Sequence, residues 1–275
     1  MEKAVRITKA EAYVISVMQR IPVLSYYATA RGWSFLISWG HRLAGLTLVA
    51  YMFAHLYTLS LLFHPATFDA DMRFLNNFVF TFLEWCVAVP VIFHSLNGGR
   101  LVLYEIFRMR EEELAIRSMV AVGFIYIAIV GFFFIEEGHQ ISATLFWSVT
   151  LAISIVTLLV VLFKIWLTRN SLFWKLQRVT GAFMFPMLIG HMLFMHMNYL
   201  TGHDSKTILL RLESPFFRGI DFVFVIFLLF HAGYGLFSII ADYIKPGPLL
   251  KSITLLIIIV MAISAFFGIR LIEAL

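Results

Sequence analysis

Residues 216–244 read FFRGIDFVFVIFLLFHAGYGLFSIIADYI and decide the fold class. An apolar run of this length predicts a membrane-spanning helix, because the hydrocarbon core of a bilayer needs about 20 apolar residues. His231, Gly235 and Asp242 fall on one face of that helix, since steps of four and eleven residues return to nearly the same direction. An imidazole inside a bilayer is costly without a partner. The stripe therefore offers a candidate metal ligand, a gap and an acid, which suits a flat cofactor.

The composition extends this interpretation to the whole chain of 275 residues. Hydrophobic residues make up 61% of it and charged residues 13%, whereas soluble domains carry about 25% charged residues. We therefore predict an all-α, polytopic membrane helix bundle in contact with the lipid bilayer. The net charge of +5 follows the positive-inside rule and does not indicate a partner nucleic acid. The single cysteine, Cys86, lies in an apolar run, so the sequence has no disulfide framework.

Seven apolar runs predict about seven transmembrane helices. The runs are 34–63, 76–107, 117–136, 140–168, 172–200, 216–244 and 249–273. The basic N-terminal segment has no signal-peptide pattern and is expected in the cytoplasm. This orientation places the segments 64–73, 136–140 and 203–218 outside as loops. The last of these carries three basic residues, which runs against the positive-inside rule; the other loops agree with it.

The chain contains an internal duplication. The pattern Arg-x2-Gly-x9-His occurs twice, and each copy is followed by His-x3-Gly-x6-acid after 39 residues in one case and 40 in the other. The first copy comprises Arg42, Gly45, His55, His94, Gly98 and Glu105, and the second comprises Arg178, Gly181, His191, His231, Gly235 and Asp242. Ordered self-similarity of this kind indicates a structural repeat.

The duplication predicts the domain organisation. Three helices cross the membrane an odd number of times, so two repeats in the same orientation need one additional crossing between them. We therefore expect two parallel three-helix repeats joined by one connecting helix. The predicted division is a cytoplasmic N-terminal segment 1–33, a first repeat 34–137, a connecting helix 138–170 and a second repeat 171–275.

Four of the nine histidines lie deep in predicted helices. His55 and His191 fall toward the outer ends of their helices, and His94 and His231 fall toward the inner ends. A neutral histidine bonded to a neighbouring helix is the alternative for each, but it explains four duplicated positions poorly. Imidazole is a common axial ligand of haem iron. We predict an outer and an inner haem b, each held by two histidines and separated by about 10–15 Å.

Four further histidines are expected to have structural roles. His64, His139 and His203 fall at helix ends or in loops, where a histidine is most simply solvated or interfacial. His196 follows His191 by five residues, which in an α-helix places it on another face. We therefore expect His196 to pack or to lie at the membrane interface.

Three stretches resemble the membrane anchor subunits of succinate dehydrogenase, or complex II. Residues 38–45, SWGHRLAG, resemble the Ser-x-x-His-Arg-x-x-Gly motif of the larger subunit, and residues 94–100, HSLNGGR, resemble its His-x3-Gly-x-Arg motif. Residues 231–243, HAGYGLFSIIADY, resemble the His-x3-Gly-x6-Asp-Tyr motif of the smaller subunit. The resemblance covers nearly all the chain except the N-terminal segment and the connecting helix. It implies that both subunits are fused here.

The resemblance also implies roles for particular residues. It makes His94 and His231 the axial ligands of the inner haem, and the duplicated His55 and His191 imply a second haem, as in the dihaem members. It places His41, Arg100 and Arg178 at haem propionates, and it places Ser38, Arg42, Asp242 and Tyr243 at the quinone pocket. The residue types suit these roles, because arginine binds carboxylates in a bidentate manner and hydroxyls bond quinone carbonyls.

The resemblance further implies an electron-transfer function with partner subunits. The sequence has neither a dinucleotide-binding motif nor a cysteine cluster for iron–sulfur centres. Dicarboxylate chemistry is therefore expected on a flavoprotein and an iron–sulfur subunit, with ubiquinone or menaquinone as the membrane substrate. The expected location is a prokaryotic inner (plasma) membrane. Two alternatives are a haem b anchor of another respiratory dehydrogenase, such as a formate- or nitrate-linked one, and a haem-free membrane protein of the same fold. Glu84 is equally consistent with an outer quinone or proton site and with a structural role.

Overall fold

All regular structure in the described residues is helical. A computed structural model describes residues 16, 20, 33–109, 111–136, 143–196 and 202–273. Within them, seven helices are long and apolar enough to cross a membrane, and they coincide with the seven predicted runs. The predicted all-α, polytopic fold class is therefore confirmed. The predicted N-terminal segment lies almost wholly outside the described residues.

The described residues form nine α-helices, which are numbered here in chain order. They are α1 (Trp33–Ser60), α2 (Pro65–Leu75), α3 (Phe78–Phe107), α4 (Glu112–Glu136), α5 (Thr144–Ile165), α6 (Leu172–His191), α7 (Ser205–Leu212), α8 (Pro215–Ala241) and α9 (Pro248–Glu273). A 3₁₀ turn, Leu61–Phe63, follows α1, and a π-helical turn, Met192–His196, continues α6.

The short helices α2 and α7 lie where the sequence interpretation expected loops. Both are amphipathic and too short to register as apolar runs. Proline begins α2, where a missing N–H costs little. Asp204 caps α7 by accepting from the Thr207 N–H. The two helices contact each other, and Asp69 of α2 accepts bonds of 3.0 and 2.9 Å from the backbone N–H and hydroxyl of Ser205.

Arg211 of α7 explains part of the positive charge in this region. Its side chain is buried and donates two bonds, of 2.6 and 3.1 Å, to the carboxylate of Asp221 on α8. The guanidinium also lies 4.9 Å from the ring centroid of Trp147 and 4.8 Å from that of Phe217. This cation is thus paired within the fold, so the positive-inside rule does not apply to it as it would to a solvated loop residue.

The helices pack with an internal two-fold relationship. Within one repeat, α3 contacts α1 and α4; in the other, α8 contacts α6 and α9. Between the repeats, α1 contacts α8 and α9, and α6 correspondingly contacts α3 and α4. Helices α1, α3, α6 and α8 therefore form a central four-helix core. The boundaries proposed for the repeats stay a prediction.

Helix α5 has no counterpart in this two-fold arrangement. It packs most extensively on α6 and also contacts α3 and α4. The approach to α6 is close: a Cβ on Gly190 would lie 2.6 Å from Cγ2 of Thr150, so only glycine fits there. The hydroxyl of Thr157 also donates to the carbonyl of Ala182 at 2.9 Å. One side of the core is thus covered by the connecting helix.

Two ion pairs join the repeats in a crossed arrangement. Arg42 of α1 binds Asp242 at the end of α8 at 2.5 Å, and Arg178 of α6 binds Glu105 of α3 at 2.7 Å. The two arginines occupy duplicated positions, and so do the two acids. Each repeat therefore supplies a cation to the other and receives one. We call this end of the bundle the ion-pair end, and the end with α2 and α7 the short-helix end.

The crossed pairs give a prediction about stability. Both bonds from Arg178 go to one oxygen of Glu105, whereas Arg42 also bonds to Tyr243 and its partner Asp242 is half exposed. Glu105→Gln should therefore lower the free energy of unfolding by about 1–3 kcal/mol, and Asp242→Asn by less than about 1 kcal/mol. Thermal unfolding in detergent measures both.

The control for this prediction is the double variant Glu105→Gln/Arg178→Gln. It removes both charges, so it should recover part of the stability that Glu105→Gln loses. A melting temperature that falls as far for Asp242→Asn as for Glu105→Gln would contradict the prediction.

Candidate functional site

Four histidines form two facing pairs inside the core. The ring centroids of His94 on α3 and His231 on α8 are 6.2 Å apart, with the rings at 88°. Those of His55 on α1 and His191 on α6 are 6.1 Å apart, at 83°. Since an imidazole nitrogen binds a first-row metal at about 2.0–2.1 Å, two imidazoles on opposite sides of one ion have centroids roughly 6 Å apart. Both pairs have the separation that a shared metal ion requires.

Two glycines fix the position of the His94–His231 pair. A Cβ on Gly45 of α1 would lie 3.2 Å from Cε1 of His94, and one on Gly181 of α6 would lie 3.1 Å from Cε1 of His231. These glycines therefore let an imidazole ring approach the neighbouring helix backbone. At these two positions an imidazole ring occupies the space that a side chain would otherwise fill.

The distance between the two histidine levels can be counted along α1 and α6 from the same glycines, which lie beside His94 and His231. His55 follows Gly45 by ten residues, and His191 follows Gly181 by ten. A rise of about 1.5 Å per residue separates the levels by roughly 15 Å. This agrees with the expected spacing of the two sites.

Hydrogen bonds hold the rings of the His94–His231 pair. Nδ1 of His94 lies 3.2 Å from the carbonyl oxygen of His41, and Nδ1 of His231 lies 3.4 Å from the hydroxyl of Thr180. A bond at one ring nitrogen orients the imidazole and leaves the other nitrogen, Nε2, for a metal. Both repeats therefore prepare their histidine in the same way.

A cavity of about 790 Å³ surrounds this pair. This volume is within the range typical of cofactor sites. Its wall is mostly apolar and comes from α1, α3, α4, α5, α6 and α8. The polar and small residues that line it include His94, His231, Gly45, Gly98, Gly181, Gly235, His41, Gln177, Arg42, Arg178 and Asp242. A large, flat, mainly apolar ligand with a charged edge fits this lining.

The predicted propionate residues have different positions relative to the cavity. His41 stacks on His94 with centroids 4.0 Å apart, and its Nδ1 is buried without a hydrogen-bond partner among the described residues. Arg178 also lines the cavity. Arg100 does not; its Nε donates to Asn97 at 2.9 Å. The structure thus brings two of the three predicted residues to the cavity wall.

Three of the four predicted quinone residues, Arg42, Asp242 and Tyr243, are in contact at the ion-pair end. Nη1 of Arg42 donates to the Tyr243 hydroxyl at 2.8 Å, and Nη2 donates to Asp242 at 2.5 Å. The ring of Trp39 lies 5.9 Å from that of Tyr243. Ser38 is exposed and lies one turn before Arg42 on α1. Tyr243 is 57% exposed, so this group opens to the outside of the bundle.

The equivalent group in the other half of the core keeps the ion pair, Arg178 with Glu105, but lacks both hydroxyl side chains. Trp174 stands where the first repeat has Ser38, and Ile106 stands where the second repeat has Tyr243. The guanidinium of Arg178 lies 4.7 Å from the Trp174 ring centroid, and Ile106 packs against buried residues of α5. At these two related positions, only the group around Arg42 therefore offers hydroxyl side chains to a ligand.

The prediction that His196 lies on another face from His191 is wrong. Its ring centroid is 5.4 Å from that of His191 and 5.6 Å from that of His55. One ligand nitrogen from each of the three rings lies within 4.8 Å of the others. The reason is the π-turn Met192–His196, in which a five-residue step returns to the same side. Nothing in the local sequence announces this turn. The side chain of Glu84 lies outside the described part of the structure.

The part of the chain that matches a known protein family corresponds to the two repeats. The family described as succinate dehydrogenase/fumarate reductase transmembrane subunit matches residues 22–133 and 162–271, and the unmatched interval contains most of α5. The succinate dehydrogenase 2 membrane subunit SdhC of Mycobacterium tuberculosis is 27% identical over 95 residues, which are 34% of this chain and 68% of the relative. No solved structure matches the chain. Since the family match spans well over half of the residues and both copies of the duplicated motif, this chain belongs to the succinate dehydrogenase/fumarate reductase transmembrane subunit family.

Proposed function

We propose that the chain is the dihaem cytochrome b anchor of a succinate:quinone oxidoreductase or quinol:fumarate reductase. In this role it connects an iron–sulfur partner subunit electronically with membrane quinone. The observation that carries the proposal is the two facing histidine pairs at the separation of two imidazoles on one metal. The family membership supports the complex, and the geometry of the pairs supports the cofactor.

The residues at the inner level fit a haem b. His94 and His231 offer two imidazoles, which are common axial ligands of haem iron. Arg178 and His41 line the cavity and suit the propionate carboxylates, because His41 has an unpartnered nitrogen there. When bound, haem b supplies reversible one-electron chemistry at its iron. Arg100, which bonds to Asn97, is proposed as a more distant propionate contact.

The protein's own contribution is to fix the ligands before the cofactor arrives. Hydrogen bonds to the His41 carbonyl and the Thr180 hydroxyl orient the rings of His94 and His231, respectively. Glu105 holds Arg178 at the cavity wall. The second pair, His55 and His191, is proposed to hold the outer haem in the same way. Helix α5 and the apolar lining exclude water from the inner site.

The quinone pocket is proposed at the ion-pair end. Tyr243 accepts a bond from Arg42, so its own O–H proton remains available to a quinone carbonyl. Asp242 fixes the same arginine, and Ser38 supplies a second hydroxyl on the neighbouring helix. Asp242 and Arg42 also line the inner cavity, which places the pocket beside the inner haem site.

The partners are proposed to bind at the ion-pair end, which we assign to the cytoplasmic side of a prokaryotic inner membrane. The basic N-terminal segment precedes α1 at this end. The chain itself has one cysteine and no iron–sulfur motif. A flavoprotein and an iron–sulfur subunit must therefore supply the dicarboxylate chemistry, and an electron entering from them reaches the quinone pocket and the inner haem site first.

The first prediction concerns haem content. The wild-type complex should contain two haems b per chain, measured by the pyridine haemochrome assay against protein concentration. His231→Ala should remove the inner haem and His55→Ala the outer one, each leaving one haem per chain. The exposed His64 is the matched control, and His64→Ala should keep both haems. One haem or none in the wild type would contradict the dihaem assignment.

A second prediction concerns assembly. A tagged chain isolated from native membranes in mild detergent should carry bound flavin and acid-labile iron with succinate:artificial-acceptor activity. The same chain expressed without partner subunits should lack all three. A stable native complex without flavin and iron would refute the proposed partners.

A third prediction locates the quinone site. A lost hydrogen bond to a buried polar ligand costs about 1–3 kcal/mol, so Tyr243→Phe should slow quinone reduction roughly tenfold or more. Activity with an artificial acceptor at the soluble subunits should not change. The control is Tyr57→Phe, an exposed tyrosine at the opposite end of α1. If Tyr243→Phe has no effect while Glu84→Gln abolishes quinone turnover, the quinone site lies toward the short-helix end instead.

A further inference from the structure

We propose that His196 is a second axial-ligand position for the outer haem, able to replace His191 opposite His55. The inference rests on the proposed function, since it concerns the outer haem assigned there. It extends that proposal, because the duplicated motif does not include His196.

The geometry gives His55 two imidazoles to face. Its ring centroid lies 6.1 Å from that of His191 and 5.6 Å from that of His196. Both distances are close to the roughly 6 Å expected for two imidazoles on one iron. The ligand nitrogens of all three rings lie within 4.8 Å of one another. His55 therefore has two possible partners, His191 and His196. Both lie on the same helical segment, separated by one π-turn.

A porphyrin can use only one of these partners at a time. A haem held by His55 and one of these two rings would leave the third ring uncoordinated. The third ring is His196 when His191 binds and His191 when His196 binds. Both belong to the segment where α6 changes into the π-turn Met192–His196, and such turns are frequent at functional sites.

The first repeat has no corresponding reserve ligand. The position equivalent to His196 is Ser60, whose hydroxyl donates to the carbonyl of Tyr57 in its own helix at 2.6 Å. At the inner level the third imidazole, His41, lies on α1 and stacks on His94 with centroids 4.0 Å apart, whereas α8 has Leu236 and Phe237 five and six residues beyond His231. The reserve ligand on α6 therefore has no counterpart at the equivalent position of the first repeat, and it predicts unequal effects for His55 and His191, which the duplication makes equivalent.

The test compares haem stoichiometry and spin state in purified holo-complexes of five proteins. They are the wild type, His55→Ala, His191→Ala, His196→Leu and the double variant His191→Ala/His196→Leu. The pyridine haemochrome assay counts the haems, and electron paramagnetic resonance distinguishes six-coordinate low-spin from five-coordinate high-spin iron. The inner haem, which none of these changes touches, reports whether each complex is folded.

We expect two low-spin haems in the wild type, in His196→Leu and in His191→Ala. We expect one low-spin haem in His55→Ala and in the double variant, with any residual outer haem of the double variant high-spin. The low-spin signal of His191→Ala should differ from the wild type, because the ligand ring has a different orientation to His55.

Other results overturn the inference. If His191→Ala matches the double variant, His196 does not bind the iron, while two haems in the wild type still support the proposed function. Loss of the outer haem from His196→Leu alone would make His196 an obligatory residue and not a replacement. A wild-type complex with a single haem would overturn the dihaem assignment and this inference together.

Discussion

The crossed docking of the two repeats, which places an arginine of each beside a carboxylate of the other, is the constraint on which the rest of the arrangement depends. A charged group in a low-dielectric surrounding is costly unless an opposite charge compensates it. Neither repeat pairs Arg42 or Arg178 within itself; each arginine binds an acid of the other repeat. Joining the repeats in this way brings α1 against α8 and α6 against α3.

The facing histidines follow from that arrangement. Equivalent residues of two repeats related by a two-fold axis lie opposite each other, so one histidine per repeat at a given level is enough to form a pair. Two histidines per repeat then form two pairs, at roughly 15 Å separation along the helices. Duplication therefore explains why the proposed cofactor sites are both bis-histidine and both central.

Departures from the two-fold relationship make the two related halves of the core chemically different. Helix α5 covers one side of the core and packs on Ile106, while the related Tyr243 stays exposed beside Arg42. Trp174 likewise replaces Ser38. At the other level His196 replaces Ser60. The symmetric part of the chain builds the histidine pairs, and the asymmetric part distinguishes the proposed quinone pocket and adds His196 beside the pair of His55 and His191.

The sequence predicts the parts of this structure that depend on periodicity and spacing. Hydropathy is sufficient for the seven long helices, because each apolar run exceeds the membrane thickness. The duplicated spacing is sufficient for the histidine pairs, because α-helical rise is regular. Helices α2 and α7 were not predicted, because they are short and amphipathic and do not form apolar runs. The position of His196 beside His191 was not predicted, because a π-turn changes the angular step per residue. That change depends on tertiary packing near the end of α6.

Side-chain pairing across helices is the other part that spacing does not determine. The sequence placed Arg178 at a propionate and left Glu105 only as a counterpart of Asp242. Their mutual bond depends on α3 and α6 being neighbours, which is a property of how the repeats dock. The same docking places Arg42 between Asp242 and Tyr243.

The position of Arg42 links the two proposed sites. Arg42 and Asp242 line the inner cavity. The guanidinium of Arg42 also bonds to Asp242 and to the hydroxyl of the exposed Tyr243. This ion pair thus lines the inner cavity and also contacts Tyr243. In the proposed function, a quinone held by Tyr243 would therefore lie close to the inner haem site, and the ion pair that joins the repeats would also connect the two proposed redox sites.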